Sequence, residues 1–330
     1  MAFVYLTHQG AQVRRRGDAL IVEADGQKLA DLEIHNVEAL CIFGRVHLTL
    51  PVVELLLQRE VETAFLTIDG RLKGQLTPAR PRNVTLRIEQ FRRFLDPATR
   101  LEMARAVVRG KLANACELVQ RYRYNHPEAP VDEDLAGVRD ALAGIDAAPS
   151  LDSLRGLEGS GTRAYFAALG KMCRGPLAFS GRSSRPPADP FNALLSLGYV
   201  LLANEITHLA DAVGLDPYVG FYHEIQDRRA GFALDLVEEL RHPLIDRFCL
   251  HLNNNRMLGP DDFRPDPERP GGVILQEQPF RRYLTEYDEW MRRSPRAARP
   301  SPRDVVRGQI ERLCDWLRGG AAYQPWRFED

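Results

Sequence analysis

The sequence is poor in the features that identify most enzymes and binding proteins at sight. Its 330 residues include only five cysteines, Cys41, Cys116, Cys173, Cys249 and Cys314, widely spaced and without a CxxC pair. That excludes a zinc knuckle, argues against a disulfide framework, and predicts buried thiols in a reducing compartment. Neither charge is in excess: 44 Lys and Arg stand against 45 Asp and Glu, a formal net charge of -1. A global basic field for nucleic acid is therefore absent, and any such contact must rest on local charge. There is no GxGxxG, GxxxxGK, HExxH or GxSxG, so familiar nucleotide-binding, zinc-protease and acyl-transfer chemistries lose ground. The opening MAFVYLTHQG has neither a basic n-region nor a long apolar core, and no stretch is expected to reach the roughly 20 apolar residues that span a bilayer. A soluble cytoplasmic protein without a membrane partner is the expectation.

What is present suggests two domains of α+β class: a small, mostly antiparallel β domain at 1–78, a linker at 79–90 and a larger all-helical domain at 91–330. FVYLT at 3–7, ALIVEA at 19–24, ALCIFG at 39–44, VHLTL at 46–50 and AFLTI at 64–68 are short, β-branched or aromatic, and bounded by turn residues. Pro51 opens a short helix among them, and Asp69-Gly70 predicts a hairpin turn into RLKGQLT. TPARPRN at 77–83 reads as linker, because its two prolines remove donors and disfavour helix before them. Beyond it, Asp96 and Pro97 start an amphipathic helix carrying Leu101, Ala104, Val108, Leu112, Ala115, Leu118 and Tyr122. Further helices are expected at 134–144, 150–173, 191–213, 231–241, 243–254, 278–293 and 303–318.

Three acidic or histidine settings stand out. Glu158 in SLRGLEGSGTRAYF is flanked by Gly156, Gly159 and Gly161, each costing about 0.5–1 kcal/mol against alanine in a helix. Either the chain there approaches a partner closely, or the segment is a loop with Glu158 solvated. His223 in DPYVGFYHE lies between turn signals and suits a ligand or a structural role. Asp235 and Glu238 lie roughly 60° apart on one helix face, beside Glu239 and His242, as a metal site or as an amphipathic helix's solvated side. If the three segments converge, an imidazole and two or three carboxylates make a hard, oxygen-rich site for Mg²⁺ or Mn²⁺. Local basic charge is modest: Arg80, Arg82, Arg87, Arg92 and Arg93 cluster near the domain junction, and RRSPRAARPSP at 292–302 reads as linker or contact arm.

Taken in order, LRGLEGSGTRAYFAAL, RPPADPFNALLSLGYVLL, DPYVGFYHE, ALDLVEELRHPLIDRF, NRMLGPDDF and GGVILQEQPFRRYL resemble the motif series of the CRISPR-associated adaptation integrases. The resemblance covers about residues 150–290. It implies a homodimer working with a small ferredoxin-like partner. It also implies metal-dependent insertion of short DNA fragments into a repeat array, their 3′-hydroxyls attacking repeat phosphodiesters. Carried over by position, Glu158, His223 and Glu238 become catalytic metal ligands and Asp235 an accessory acid. Tyr165, Arg185 and Asn192 fall in matching motifs as site-shaping or DNA-contacting residues; Arg292 and Arg293, outside the resemblance, are candidate DNA contacts on local charge alone if the 292–302 arm is not a linker. A stand-alone nuclease for branched DNA and a non-catalytic nucleic-acid scaffold are the competing readings.

Overall fold

The computed structural model describes residues 2–68, 70–78, 83–183, 186–227, 229–294 and 299–328, in two compact units, Met1–Pro81 and Arg82–Asp330. The first unit contains β1 (Ala2–Leu6), β2 (Gln12–Arg16), β3 (Ala19–Ala24), β4 (Gln27–Glu33), β5 (Val37–Phe43), β6 (His47–Leu48), α1 (Leu50–Gln58), β7 (Glu62–Leu66) and β8 (Leu72–Leu76). They form two four-stranded sheets, ordered β1-β5-β7-β8 and β4-β3-β2-β6. Val13, Leu20, Leu40, Val52, Leu55 and Leu56 are part of the buried core.

The expected antiparallel pairing is present, with parallel ladders beside it. β2–β3, β3–β4 and β7–β8 are antiparallel, whereas β1–β5, β5–β7 and β2–β6 run parallel. The cause is connectivity, since α1 provides a crossover from β5 to β7 and crossovers return strands in the same direction. Strands β2 and β4 were not expected. QVRRR and QKLADLE carry mostly exposed polar side chains, and it is their ladders to β3 that make them strands. Asp69 of the expected hairpin turn lies outside the described residues.

The second unit is built from α2 (Val84–Leu95), α3 (Pro97–Asn125), α4 (Asp132–Ala143), α5 (Leu151–Met172), α6 (Pro190–Val213), α7 (Gly231–Arg241), α8 (Arg247–Asn254), α9 (Glu277–Arg292) and α10 (Pro302–Leu317). A π-helical turn, His242–Asp246, joins α7 to α8. Two corrections apply. Residues 84–90, read as linker, are helical because the Asn83 side chain accepts the Leu86 N–H and caps α2. The unit is also not all-helical: β9 (Phe263–Pro265) and β10 (Val273–Leu275) pair as a short antiparallel ladder.

Helix α5 runs unbroken through the glycine-rich segment, so Glu158 is helical and not in a loop. One of the three glycines has a packing cause. A Cβ on Gly161 would meet Leu112 Cδ2 at 2.8 Å and Ala141 Cβ at 3.0 Å, so glycine lets α5 lie close against α3 and α4. At Gly156 and Gly159 a Cβ would meet nothing within 4 Å, leaving open space on either side of Glu158. By length and composition α6 is apolar enough to cross a membrane, against expectation, but most of that window is buried inside the unit. It also carries Glu205, paired at 3.1 Å with Arg303 of α10, both side chains 4% exposed. The five thiols are free, and burial pushes those of Cys116 and Cys314 up to about 11.

Candidate functional site

Three helices of the helical unit bring their charged side chains together. Glu158 stands midway along α5, Glu238 in the last turns of α7, and Lys111 in the middle of α3. The Lys111 ammonium bonds to Glu158 Oε1 and lies 2.6 Å from Glu238 Oε2. Its side chain is 2% exposed, against 20% for Glu158 and 14% for Glu238. Thr162, one turn beyond Glu158, donates its hydroxyl to Glu158 Oε1 at 2.8 Å. Arg241 reaches back one turn of α7, and its Nη1 donates to both oxygens of Glu238 at 3.0 and 3.1 Å. Burial works to raise the Glu238 carboxyl, but the Arg241 guanidinium and then the Lys111 ammonium outweigh it and hold that carboxyl well below the usual range.

His223 enters from the connection between α6 and α7, where Asp235 organises the chain. Asp235 Oδ2 accepts the backbone N–H groups of Phe221 at 2.6 Å and Tyr222 at 3.0 Å. Its Oδ1 accepts the His223 N–H at 3.0 Å and lies 2.8 Å from His223 Nδ1. A carboxylate at Nδ1 makes that nitrogen the donor, so the neutral ring keeps a lone pair on Nε2, the tautomer a metal ligand needs. A Cβ on Gly220 would fall 2.7 Å from Asp235 Oδ2, so glycine is what lets the loop close onto this carboxylate. Tyr222 reports the same neighbourhood: burial raises its phenol, and the charges of Glu158 and Glu238 raise it further.

The sequence-derived residues thus divide. Glu158 and Glu238 meet at one point, on Lys111, whereas His223 is held by Asp235. Asp235, read as an accessory acid, is buried with both oxygens committed to the 221–223 loop, so it positions His223 and does not join the carboxylate pair. Tyr165 is fully buried, donates to Asp246 Oδ2 at 2.8 Å and packs on the His242 ring at 3.9 Å between centroids, so it ties α5 to the His242–Asp246 turn. Asn192 is also fully buried. Its Nδ2 donates to Gly181 O and Asp189 Oδ2, and its Oδ1 accepts from Arg182 Nη1 and Ser183 N–H, so it organises the 181–183 segment and is not a DNA contact. Arg185 lies outside the described residues. Arg292 and Arg293 are exposed at the end of α9, Arg292 pairing with Asp288 of its own helix.

The basic cluster near the domain junction is largely structural where it is described. Arg87 pairs with Asp211 and donates to Leu215 O, Arg92 pairs with Glu89, and Arg93 covers the Trp316 ring at 4.3 Å. Arg80 and Arg82 lie outside the described residues. Sequence reasoning missed Lys111 and Arg241. The available signal for Lys111 was a lysine on the apolar side of α3, between Val108 and Leu112.

Glu239, adjacent to Glu238, is engaged by the C-terminal segment. Its Oε1 accepts from Gln309 Nε2 and the Trp326 N–H at 2.7 Å, and Oε2 lies 2.5 Å from the Tyr323 hydroxyl. Burial outweighs these bonds and pushes the carboxyl up to about 7. A carboxyl raised above its ordinary value near 4.5 stabilises the fold while protonated. That contribution is complete below about pH 4.5 and is lost as pH rises through about 7, a swing on the order of 3 kcal/mol. Thermal melts from pH 4.5 to 8 should therefore show the wild type losing stability relative to Glu239→Gln; a pH-independent difference would refute the assignment.

Comparison with known proteins decides the family. Residues 4–289 match the family model described as CRISPR associated protein Cas1. The chain belongs to the Cas1 family. A relative from Thermus thermophilus, named CRISPR-associated endonuclease Cas1 1, is 36% identical over 98% of this chain and 99% of its own. The Cas1-family fold is shared with a casposase bound to integration product, at a TM-score of 0.83 and 21% identity over 100% of this chain and 96% of the other. It is shared also with a chain of a Cas6-RT-Cas1–Cas2 complex, at a TM-score of 0.83 and 24% identity; there this chain is covered completely but spans 36% of the larger protein.

Among the described residues no three His, Cys, Asp or Glu side chains are grouped closely enough to hold one ion. In this Cas1-family chain the point where Glu158 and Glu238 meet is taken by the Lys111 ammonium. The donor chemistry still fits a hard cation: two carboxylates, one of them strongly favoured in its charged form, and an imidazole held in the ligand tautomer.

Proposed function

We propose that the protein is a metal-dependent DNA integrase that joins the 3′-hydroxyl ends of short DNA fragments to phosphodiesters of a CRISPR repeat array. The observation that carries this reading is the meeting of Glu158 and Glu238, 80 positions apart in sequence, on the Lys111 ammonium. Glu158, Glu238 and His223 Nε2 would hold Mg²⁺ or Mn²⁺, since zinc calls for more histidine or thiolate. When bound, such an ion polarises a phosphoryl oxygen and favours ionisation of the attacking hydroxyl. The chain's own groups do the rest. Arg241 keeps Glu238 ionised, Asp235 fixes the His223 ring, and the bare α5 surface at Gly156 and Gly159 leaves room for a DNA strand beside Glu158.

The names of the similar proteins support DNA joining and assembly with Cas2, a casposase on its integration product and a Cas1–Cas2 complex. We extend this to a homodimer with a small ferredoxin-like partner, acting in the cytoplasm. The exposed Arg292 and Arg293 suit sequence-independent phosphate contact. The experiment incubates the protein and its partner with short 3′-hydroxyl duplexes and a repeat-bearing plasmid, with and without Mg²⁺ or Mn²⁺. A metal-dependent joined strand is expected, together with a dimeric mass by light scattering. Cleaved but unjoined DNA would favour a nuclease for branched DNA, and no covalent change would sink the catalytic reading.

A further inference from the structure

We infer that Lys111 is a resident counter-ion that keeps Glu158 and Glu238 together in the metal-free protein and must leave when a divalent cation arrives. The inference rests on the metal reading above and deepens it. Lys111 Nζ bonds to an oxygen of each carboxylate, so the ammonium stands where a shared cation would stand. Its position is not that of a surface lysine. Its side chain is 2% exposed, on a helix whose Val108 and Leu112 are also buried, and an ammonium placed so deep is tolerated only when paired.

Charge makes the two cations exclusive. Glu158 and Glu238 carry two negative charges, and Lys111 with Arg241 supplies two positive ones, so the cluster is already balanced. A divalent ion entering beside Lys111 would create a positive excess within a few ångströms in a poorly solvated place. The partners are unequal. Without Lys111, Glu238 keeps Arg241, whereas Glu158 keeps only the Thr162 hydroxyl. Lysine suits such a placeholder, because its charge rides on a flexible stem of single bonds that can swing aside. The gain for the protein is a pair of carboxylates held together before the metal binds, at the cost of a weaker apparent metal affinity.

The test is Mn²⁺ binding to the purified protein, read by calorimetry and by the signal of free Mn²⁺ in electron paramagnetic resonance, with no DNA present. Lys111→Met, which keeps the stem and removes the charge, should bind Mn²⁺ at least about tenfold more tightly than wild type. Its melting temperature should fall without metal and rise more on Mn²⁺ addition than that of wild type. Lys111→Arg, which keeps the charge, should not tighten binding. Adding Glu238→Gln to Lys111→Met should erase the gain, which places the ion at this site. If Lys111→Met does not fold, Lys111→Gln carries the same expectation. Equal or weaker binding by the charge-free variant, while wild type binds Mn²⁺, overturns the placeholder role alone. Absence of binding by wild type and variant alike overturns the metal reading and this inference together.

Discussion

Glu158→Ala or Glu238→Ala will reduce strand joining by about 10³-fold or more, equivalent to about 4 kcal/mol of transition-state stabilisation. Each removes a carboxylate from the point where the two acids meet. The fold survives for a reason visible in the pairing. Without Glu158, Lys111 retains Glu238; without Glu238, it retains Glu158. Glu238→Ala is the more disruptive, because Arg241 also loses its carboxylate, and Glu238→Gln separates that loss from the loss of charge. The measurement is single-turnover joining of a labelled duplex to a repeat, with DNA affinity and melting temperature recorded alongside. Retention of activity within tenfold for Glu158→Ala would remove this residue from the chemistry.

Asp235→Ala is expected to produce a large loss of stability. The substitution leaves the backbone N–H groups of Phe221, Tyr222 and His223 without their acceptor, two of them in buried residues. Unpaired buried donors cost about 1–3 kcal/mol each, so a loss of at least about 3 kcal/mol in denaturant unfolding is expected. Activity should fall with it, since the loop that carries His223 has lost its anchor. His223→Ala removes the ring alone and should cost activity with much less stability. An accessory acid working directly on substrate would show the reverse pattern, with Asp235→Ala folding normally and losing rate. Asp235→Asn, which keeps one carbonyl oxygen for the loop, should fall between the two.

The path from sequence to site was uneven for identifiable reasons. Helices with strong caps were legible, as where Asp96 accepts the Thr99 N–H before Pro97 and where Ser150 starts α5. So were strands that bury β-branched side chains, such as ALIVEA. The polar strands β2 and β4 were not, because their pairing to β3 is a property of two segments and not of one. The glycines single out Glu158 in the sequence, yet of the three only Gly161 has a packing cause. Lys111 is not legible locally, because a basic residue among apolar ones reads as an exposed break in the stripe; its two acids come from α5 and α7.

By itself the sequence determined the α+β order of a strand-rich region before a helical one, the positions of the main helices, and a set of acids and a histidine in an ordered series of motifs. These follow from local preference, from apolar periodicity and from motif order, all of which are carried by residues near one another in the chain. Only the tertiary structure decided what each polar group is for. It made Glu158 and Glu238 a pair, gave Asp235 to the His223 loop, placed Lys111 between the carboxylates and turned Asn192 inward. The physical reason is that a charge acquires its role from the charges and donors within a few ångströms of it, and in this protein those neighbours come from helices separated by tens of residues.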